Sequence, residues 1–222
     1  MMERITEPEL MDDAAQARAY AEADFAEPNA RFVALYDEFV GRLPAGAAVL
    51  DLGCGPGDIT LRIAAAQPEI EVHGLDGSPA MLAFGRATLE NDAALGERVR
   101  LVEGLVPDAV LPRMSYEAVV SNSLLHHLHD PAVLWRMIRE RGVPGAAVLV
   151  MDLMRPASTA AARALVAEHA ANEPEVLRRD FYNSLLAAFE PDEIRGQLAA
   201  AGLDHFSVEE VSDRHLVIRG RL

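Results

Sequence analysis

The chain has 222 residues, of which half are apolar and a quarter are charged. This length and composition predict one well-buried globular domain with a small appended lid, not two large domains. All 20 basic residues are arginine, which excludes Schiff-base chemistry on a lysine and a lysine-dependent phosphate loop. The formal net charge of -15 argues against binding a nucleic-acid backbone and favours a small-molecule partner.

Cysteine content and the amino-terminal residues bear on the compartment. Cys54 is the single cysteine, so no internal disulfide can form and nothing indicates an oxidising environment. The first thirty residues carry eight acids against two arginines, the reverse of a signal peptide. No apolar run approaches the roughly 18 residues of a membrane span. A cytoplasmic protein without membrane contact is therefore expected.

The order of elements predicts an α/β fold. Short β-rich runs alternate with longer helical stretches, the pattern of strand, crossover helix and parallel strand. The predicted strands cover 48–52, 71–75, 99–103, 118–121, 147–153, 206–211 and 215–219. Only Ser212, Asp213 and Arg214 separate the last two, so the final strand should be antiparallel to its neighbour.

Capping signals predict the helices between these strands. Asp, Ser and Pro residues open them, and Gly202 ends the last one before the sixth strand. The predicted ranges are 58–66, 79–88, 131–141 and 191–202. Residues 1–43 are expected to form a helical cap, 44–155 and 190–222 a core, and 156–189 a helical lid containing helices 158–171 and 175–188.

A glycine-rich turn follows the first strand directly. Asp51-Leu52-Gly53-Cys54-Gly55-Pro56-Gly57-Asp58 places glycines at alternate positions, so the backbone can approach a ligand closely. A dinucleotide fingerprint would have glycine where Asp58 stands, at the helix start that would hold a diphosphate. The charges of Asp51 and Asp58 thus favour a cofactor with an amino group and a positive sulfur.

The second strand ends in another carboxylate. Leu75-Asp76-Gly77-Ser78-Pro79 brings Asp76 beside the glycine turn, where it can accept hydrogen bonds from both hydroxyls of an adenosyl ribose. Each motif alone has an ordinary explanation, glycines as turn formers and Asp76 as a helix cap. Their combination and order favour a nucleoside site.

Three runs resemble class I S-adenosylmethionine-dependent methyltransferases that act on small molecules: VLDLGCGPG at 49–57, HGLDGSPAML at 73–82 and SNSLLHHLHDP at 121–131. The resemblance covers about 45–155 and resumes over 189–222. It implies a Rossmann-like, seven-stranded, mostly parallel sheet with an antiparallel last strand and helices on both faces. It also implies methyl transfer with S-adenosylmethionine as cofactor.

By that resemblance the glycine turn holds the methionine portion, Asp76 the ribose and Met81 one face of the adenine, while Asn122 lies near the sulfonium. The family often has an acid after the third strand to read the adenine amino group, but here Leu105 stands in that segment. Backbone contacts or Asp108 could then replace it. The expected cofactor-binding residues are Tyr20, Asp51, Gly53, Cys54, Gly55, Gly57, Thr60, Asp76, Gly77, Met81, Gly104, Leu105 and Asn122.

Methyl transfer from a sulfonium is an in-line displacement, so positioning in a dry pocket can supply much of the acceleration and a general base is optional. The groups available at this edge of the sheet are His126, His127, His129 and Asp152, with Tyr182 from the lid. His127 is the favoured catalytic residue and Tyr182 the second. The alternative is that His127 is a framework residue under the cofactor.

The histidine run and the lid arginines each have two interpretations. His127 and His129 could share a metal, but no cysteine is near and Asp130 is explained as a helix cap, so no metal is predicted. Arg155, Arg163, Arg178 and Arg179 would suit an anionic or aromatic acceptor, or would simply pair with surface acids.

The predicted function is methyl transfer to oxygen, nitrogen or carbon of a small molecule. The predicted partners are that acceptor and a second copy in a homodimer, with no nucleic acid and no membrane. Two alternatives stay open: another transfer reaction in the same S-adenosylmethionine pocket, such as aminopropyl transfer or cofactor carboxylation, and a non-catalytic binding module.

Overall fold

A computed structural model describes residues 2–10, 14–23 and 25–222 of the chain. The predicted cap at 1–43 therefore lies partly outside the described residues. The strands are β1 Ala48–Leu52, β2 Glu71–Asp76, β3 Val99–Glu103, β4 Tyr116–Asn122, β5 Gly142–Leu153, β6 Ser207–Glu210 and β7 His215–Arg221.

The helices alternate with these strands in the central part of the chain. They are α1 Ala14–Glu22, α2 Ala26–Phe39, α3 Asp58–Ala66, α4 Pro79–Glu90, α5 Ala93–Gly96, α6 Ala132–Arg141, α7 Thr159–His169, α8 Glu175–Ala187 and α9 Pro191–Ala200, with a 3₁₀ turn at Leu125–His127.

The strands form one seven-stranded sheet in the order β3-β2-β1-β4-β5-β7-β6. The pairs from β3 to β5 are parallel, and β7 runs antiparallel to both β5 and β6. The predicted α/β class, seven strands and antiparallel last strand are confirmed. Because β1 lies at the centre, where the connections turn to opposite sides, its carboxyl end opens into the crevice where such sheets bind ligands.

Alternation along the buried strands divides the core between the two faces of the sheet. In β1, Leu50 joins a cluster with Trp135 of α6, and Val49 joins a cluster with Phe32 of α2. All five β1 residues are buried, as the continuous apolar run predicted. Burial on both faces holds the end of β1, and hence the glycine turn, in a fixed position.

Two elements differ from the prediction by more than two residues. β5 begins at Gly142 instead of 147, because Gly142 pairs with Tyr116 across a shift in the register of β4. The short helix α5 was not predicted; the Asp92 side chain caps it by accepting from Leu95 N at 3.1 Å. Both features lie away from the carboxyl ends of β1 and β2.

The predicted lid corresponds to α7 and α8, which lie between β5 and α9 in the chain. Leu153, Val166, Leu185 and other buried side chains form a small apolar cluster under these helices. α8 also contacts α1 and the 3₁₀ turn. The division into cap, core and lid remains a prediction. No helix among the described residues is both long and apolar enough to cross a bilayer.

Candidate functional site

The glycine turn approaches the loop after β4 closely. Gly53 has a φ of 71°, and a Cβ added there would lie 2.8 Å from Leu124 Cβ. Gly53 N and Cys54 N both donate to Leu75 O, at 2.8 and 3.0 Å, which ties the turn to the end of β2. A side chain at position 53 would therefore be strained and would also collide, so the turn requires glycine here.

Asp76 connects the two loops at the carboxyl ends of β1 and β2. Its Oδ2 accepts from Gly55 N and its Oδ1 from Ser78 N, both at 2.8 Å. Ser78 in turn caps α4 by accepting from Met81 N at 3.2 Å. Asp76 therefore supports the start of α4 and also lines the cavity, so the two roles considered for it, in the helix cap and in ligand binding, are compatible.

Asp51 is 1% exposed and accepts a 2.6 Å hydrogen bond from Thr60 Oγ1. Burial raises the pKa of the Asp51 carboxyl to about 7, and the charge of Asp76 adds to this effect. Thr60 orients this carboxyl but is not itself on the cavity wall. The Asp51 carboxyl would therefore become fully ionised when a positively charged group binds next to it.

A single cavity of about 830 Å³ extends from the glycine turn to the lid. This volume is in the range of small-molecule and cofactor sites, roughly 300–1,000 Å³. The predicted residues that line it are Tyr20, Asp51, Gly53, Cys54, Gly55, Asp76, Gly77, Met81, Gly104, Leu105, Asn122 and His127. Gly57, Thr60 and Tyr182 are not on the wall: Gly57 precedes α3 in a left-handed conformation, and Thr60 holds Asp51.

Asn122, at the end of β4, has a buried Oδ1 with no hydrogen-bond partner among the described residues. A buried amide oxygen without a partner costs free energy, and a ligand N–H donor would remove that cost. Asn122 is one of the residues that line the cavity, together with the glycine turn and His127. Asn122, Asp51 and Asp76 therefore suit a ligand that carries an amino group and hydroxyls.

Tyr20 and Phe25 form an aromatic wall, with ring centroids 4.7 Å apart. Burial raises the pKa of Tyr20 to about 12, and the charges of Asp58 and Asp76 act in the same direction. The phenol thus stays neutral at physiological pH. Leu105 also lines the cavity and is 57% exposed, whereas Asp108 is not among the described lining residues, so Asp108 does not supply the acid that the family often has after the third strand.

His126 and His127 form the wall on the lid side. His126 is buried, and its Nδ1 lies 2.6 Å from Asp152 Oδ1. Burial opposes charge on the ring, but Asp152 outweighs it and the pKa of His126 is raised. Burial lowers the pKa of His127 to about 3, with the charge of His126 contributing, so that ring is neutral near pH 7.

The lid arginines do not reach the cavity. Arg155 is buried and pairs with Glu193 at 2.8 Å, and Arg178 pairs with Glu175 on the surface. Tyr182 contacts the apolar cluster of the lid, with the Arg163 guanidinium 5.9 Å from its ring centroid. Arg155, Arg178 and Arg179 thus pair with acids. Arg163 lies against the Tyr182 ring instead.

Residues 2–10, here called the amino-terminal strap, lie across the 3₁₀ turn and α8. Arg4 donates to the carbonyls of Ala187, His126 and Leu128 at 2.6, 2.9 and 3.0 Å. Glu7 accepts from Ser184 Oγ at 2.9 Å, and burial raises the pKa of its carboxyl. No sequence motif marks Arg4 or Glu7 as site residues, so the contacts of the strap could not be predicted from the sequence.

Comparison with known proteins gives a consistent picture. A family model described as "Methyltransferase domain" matches residues 49–145. The trans-aconitate 2-methyltransferase of Methylobacterium radiotolerans is 37% identical over 116 residues, which cover 51% of this chain and 41% of that protein. The 27-O-demethylrifamycin SV methyltransferase of Amycolatopsis mediterranei is 30% identical over 188 residues, covering 80% of this chain and 62% of that protein. The chain spans about half the length of the curated relatives that it matches.

Solved structures share the fold over nearly the whole chain. A SAM-dependent methyltransferase from Aquifex aeolicus superimposes with a TM-score of 0.66 at 15% identity, over 93% of this chain and 97% of that one. A phosphoethanolamine N-methyltransferase from Haemonchus contortus, in complex with S-adenosyl-L-methionine, gives 0.62 at 20% identity, over 82% and 38%.

The sheet order and the crevice at β1 and β2 define a Rossmann-like domain built to hold a nucleoside cofactor. Together with the matched segment and the methyltransferase relatives, they support a class I S-adenosylmethionine-dependent methyltransferase. S-adenosylmethionine is the cofactor of this family, and the described residues around the glycine turn fit it: the carboxyl groups of Asp51 and Asp76, the unpartnered amide oxygen of Asn122, and no arginine beside them.

Proposed function

We propose that the protein is an enzyme that transfers the methyl group of S-adenosylmethionine to an oxygen, nitrogen or carbon atom of a small-molecule acceptor. When bound, the cofactor supplies an electrophilic methyl group on a positively charged sulfur. The observation that carries the proposal is one continuous cavity, with the glycine turn and Asp76 at one end and His127 and the lid helices at the other.

The assignments at the cofactor end follow from the donors and acceptors present. Asp76 would accept from the ribose hydroxyls, and Asn122 Oδ1 would accept from the amino group. Asp51 would supply negative charge beneath that group, because a neighbouring cation favours the ionised form of its carboxyl. Tyr20 and Met81 would contact the cofactor with apolar surface.

The end of the cavity at His127 and the lid helices, here called the acceptor end, is lined by acidic and aromatic side chains, which indicate the charge of the substrate. Glu173, Asp180 and Phe181 line it, and Arg214 is held by Asp213 at 2.8 Å. A polyanionic acceptor would meet these carboxylates, and the one arginine among the described lining residues, Arg214, is already paired. The surroundings therefore support a neutral or positively charged acceptor over a tricarboxylic acid of the kind named for the trans-aconitate relative.

At the acceptor end the chain would work by positioning. In-line attack requires the nucleophile to be held close to the methyl group in a pocket from which water is excluded. His127 is on that wall, so it is assigned a contact with the acceptor; Tyr182 is assigned to the support of the lid, since it is away from the cavity.

Product analysis tests the proposal. The protein is incubated with methyl-deuterated S-adenosylmethionine and panels of amines, phenols and carboxylic acids, and the products are analysed by mass spectrometry. The expected result is the gain of one labelled methyl group on a neutral or cationic acceptor, strongly reduced in His127→Ala. Cofactor binding with no labelled product from any panel or from a metabolite extract would support a binding module. Transfer of an aminopropyl group would support the other alternative reaction.

Two further predictions concern the whole protein. Buried, reduced Cys54 in the glycine turn is compatible with a cytoplasmic location. A homodimer remains a prediction, which light scattering of the purified protein at several concentrations would test.

A further inference from the structure

Three side chains that could bind a metal converge where the amino-terminal strap meets the 3₁₀ turn. Glu7 Oε1 lies 3.6 Å from His126 Nε2 and 3.3 Å from His127 Nδ1. One ligand atom from each of the three residues lies within 4.8 Å of the other two. The side chains are 11%, 3% and 16% exposed respectively, so water competes little for them.

Neither separation is a hydrogen bond in the structure, and both fit the ligands of one ion. His127 Nδ1 is buried without a hydrogen-bond partner among the described residues, and 3.6 Å is beyond the range of an N–H···O bond. Two ligand atoms that are each about 2.1 Å from a zinc ion, at a tetrahedral angle, lie about 3.4 Å apart. The observed 3.3 and 3.6 Å lie on either side of that value.

The far nitrogen of His126 is held by an oxygen, because its Nδ1 lies 2.6 Å from Asp152 Oδ1. Metal-binding histidines typically carry such a partner, because it fixes the tautomer and the ring orientation. His127 Nδ1 has no hydrogen-bond partner among the described residues. His126 Nε2 and His127 Nδ1 both lie close to the Glu7 carboxylate.

We propose that Glu7, His126 and His127 bind a divalent transition-metal ion such as zinc. Two imidazoles and one carboxylate are a ligand set that suits zinc, and Ser184 fixes the carboxylate by donating to Glu7 Oε1. Both histidines also line the cavity. The ion would join the amino-terminal strap to the wall of the acceptor end.

This site differs from the metal site at His127 and His129 that the sequence analysis considered. His129, which the sequence paired with His127, points to the surface, and its Nε2 contacts the carbonyl of Glu7. The third ligand is a strap residue distant in sequence, and the run SNSLLHHLHDP by itself contains no sign of it. The sequence therefore predicted no metal, because it does not show that Glu7 lies beside the two histidines.

Metal titration of the full-length protein tests this proposal. The protein is stripped with EDTA, desalted and titrated with Zn²⁺ by calorimetry and with Co²⁺ by visible absorption. We expect one equivalent to bind with the d–d bands of nitrogen and oxygen ligation. Glu7→Gln should weaken the affinity at least tenfold. Asp152→Asn changes the partner that orients His126 without removing a proposed ligand, and it should weaken the affinity by about 10- to 100-fold.

Two variants serve as matched controls. Glu9→Gln removes another acid of the same strap, which accepts from His129 N at 2.7 Å. His169→Gln removes the central member of the exposed group Glu168, His169 and Asp213, a competing candidate. Both should retain the high-affinity equivalent. In the wild type, Zn²⁺ should also slow proteolysis of the strap, and in Glu7→Gln it should not.

Three results would overturn the proposal. The stripped wild type could bind neither ion, Glu7→Gln could bind as tightly as the wild type, or only His169→Gln could lose the ion. In each case the three side chains would share a proton and not a metal. Calorimetry with S-adenosylhomocysteine is run in parallel, so a failure of cofactor binding is distinguished from a failure of metal binding.

Discussion

The two ends of the cavity are built in different ways. At the cofactor end, Asp51, Gly53 and Asp76 lie in two short segments, and Asp76 bonds to Gly55 only 21 residues away. At the acceptor end, Glu7 bonds to Ser184 across 177 residues, and Arg4 reaches His126 across 122. The first end depends on backbone conformation beside buried parallel strands. The second depends on side chains that only the folded chain brings together, so substitutions should affect the two ends differently.

The largest expected effect is at the cofactor end. Asp76→Ala should weaken S-adenosylhomocysteine binding by about 100-fold or more, because two hydrogen bonds to a charged acceptor contribute about 1.5–3 kcal/mol each. Calorimetry measures it. Asp92→Ala is the matched control, since Asp92 caps α5 as Asp76 holds Ser78 but lies on the surface. Equal affinities for the two variants would contradict the ribose assignment.

The next largest effect should be a loss of stability on substitution of Gly53. Gly53→Ala and Gly46→Ala both place a side chain at positive φ, which costs about 1–2 kcal/mol. Only at Gly53 does the new Cβ meet Leu124, whereas at Gly46 nothing lies within 4 Å. The free energy of unfolding should therefore fall by about 1–3 kcal/mol more for Gly53→Ala, as measured by urea denaturation. Similar losses would show that the turn can move away from Leu124.

Asp51 should make cofactor affinity depend on pH. Its pKa of about 7 in the free protein means that its ionised fraction rises from about 0.1 to about 0.9 between about pH 6 and pH 8. A ligand amino group favours the ionised form, so affinity for S-adenosylhomocysteine should rise about tenfold over that interval. Calorimetry at each pH should show this rise in the wild type and a flatter profile in Asp51→Asn.

The same raised pKa predicts the stability of the ligand-free protein. A carboxyl whose folded-state pKa lies above its unfolded value stabilises the fold fully below the unfolded pKa, near 3.8, and this contribution is lost as pH rises through about 7. Above that pH, Asp51→Asn should therefore be more stable than the wild type without ligand. A lower melting temperature in the variant at about pH 8 would show that the buried carboxyl is not strained.

The smallest effect is expected at the acceptor end. Arg4→Ala removes three hydrogen bonds to carbonyls and the contact of its guanidinium with the Phe189 ring, 3.9 Å to the centroid. The strap should open more readily by about 1–3 kcal/mol, seen as faster amide exchange in residues 2–10. Cofactor affinity should change by less than about threefold. Arg195→Ala, which breaks an exposed pair with Asp192, should leave exchange unchanged.

The fold and the cofactor end could be predicted largely from the sequence. The continuous apolar run of β1 and the glycines after it identify a buried parallel strand and the turn that must follow it. The same reasoning could not tell that Gly57 and Thr60 act from behind the wall, since spacing in the chain does not distinguish a residue that lines a cavity from one that supports it.

The acceptor end could not be predicted in the same way. Tyr182 was expected to face the ligand, and the lid arginines had two possible roles, but the packing of α7 and α8 turns Tyr182 toward the apolar cluster and Arg155 and Arg178 toward acids. Helical periodicity indicates that one face is buried. It does not indicate which neighbour that face meets.

The sequence by itself determined the class of sheet, the position of the glycine turn and the acid at the end of β2, because these depend on backbone conformation and on burial within a few adjacent residues. Only the tertiary structure decided that Glu7 lies against His126 and His127, and that Asp152 orients one of them. Such contacts arise from side chains on separate elements, and their geometry is set by how those elements pack.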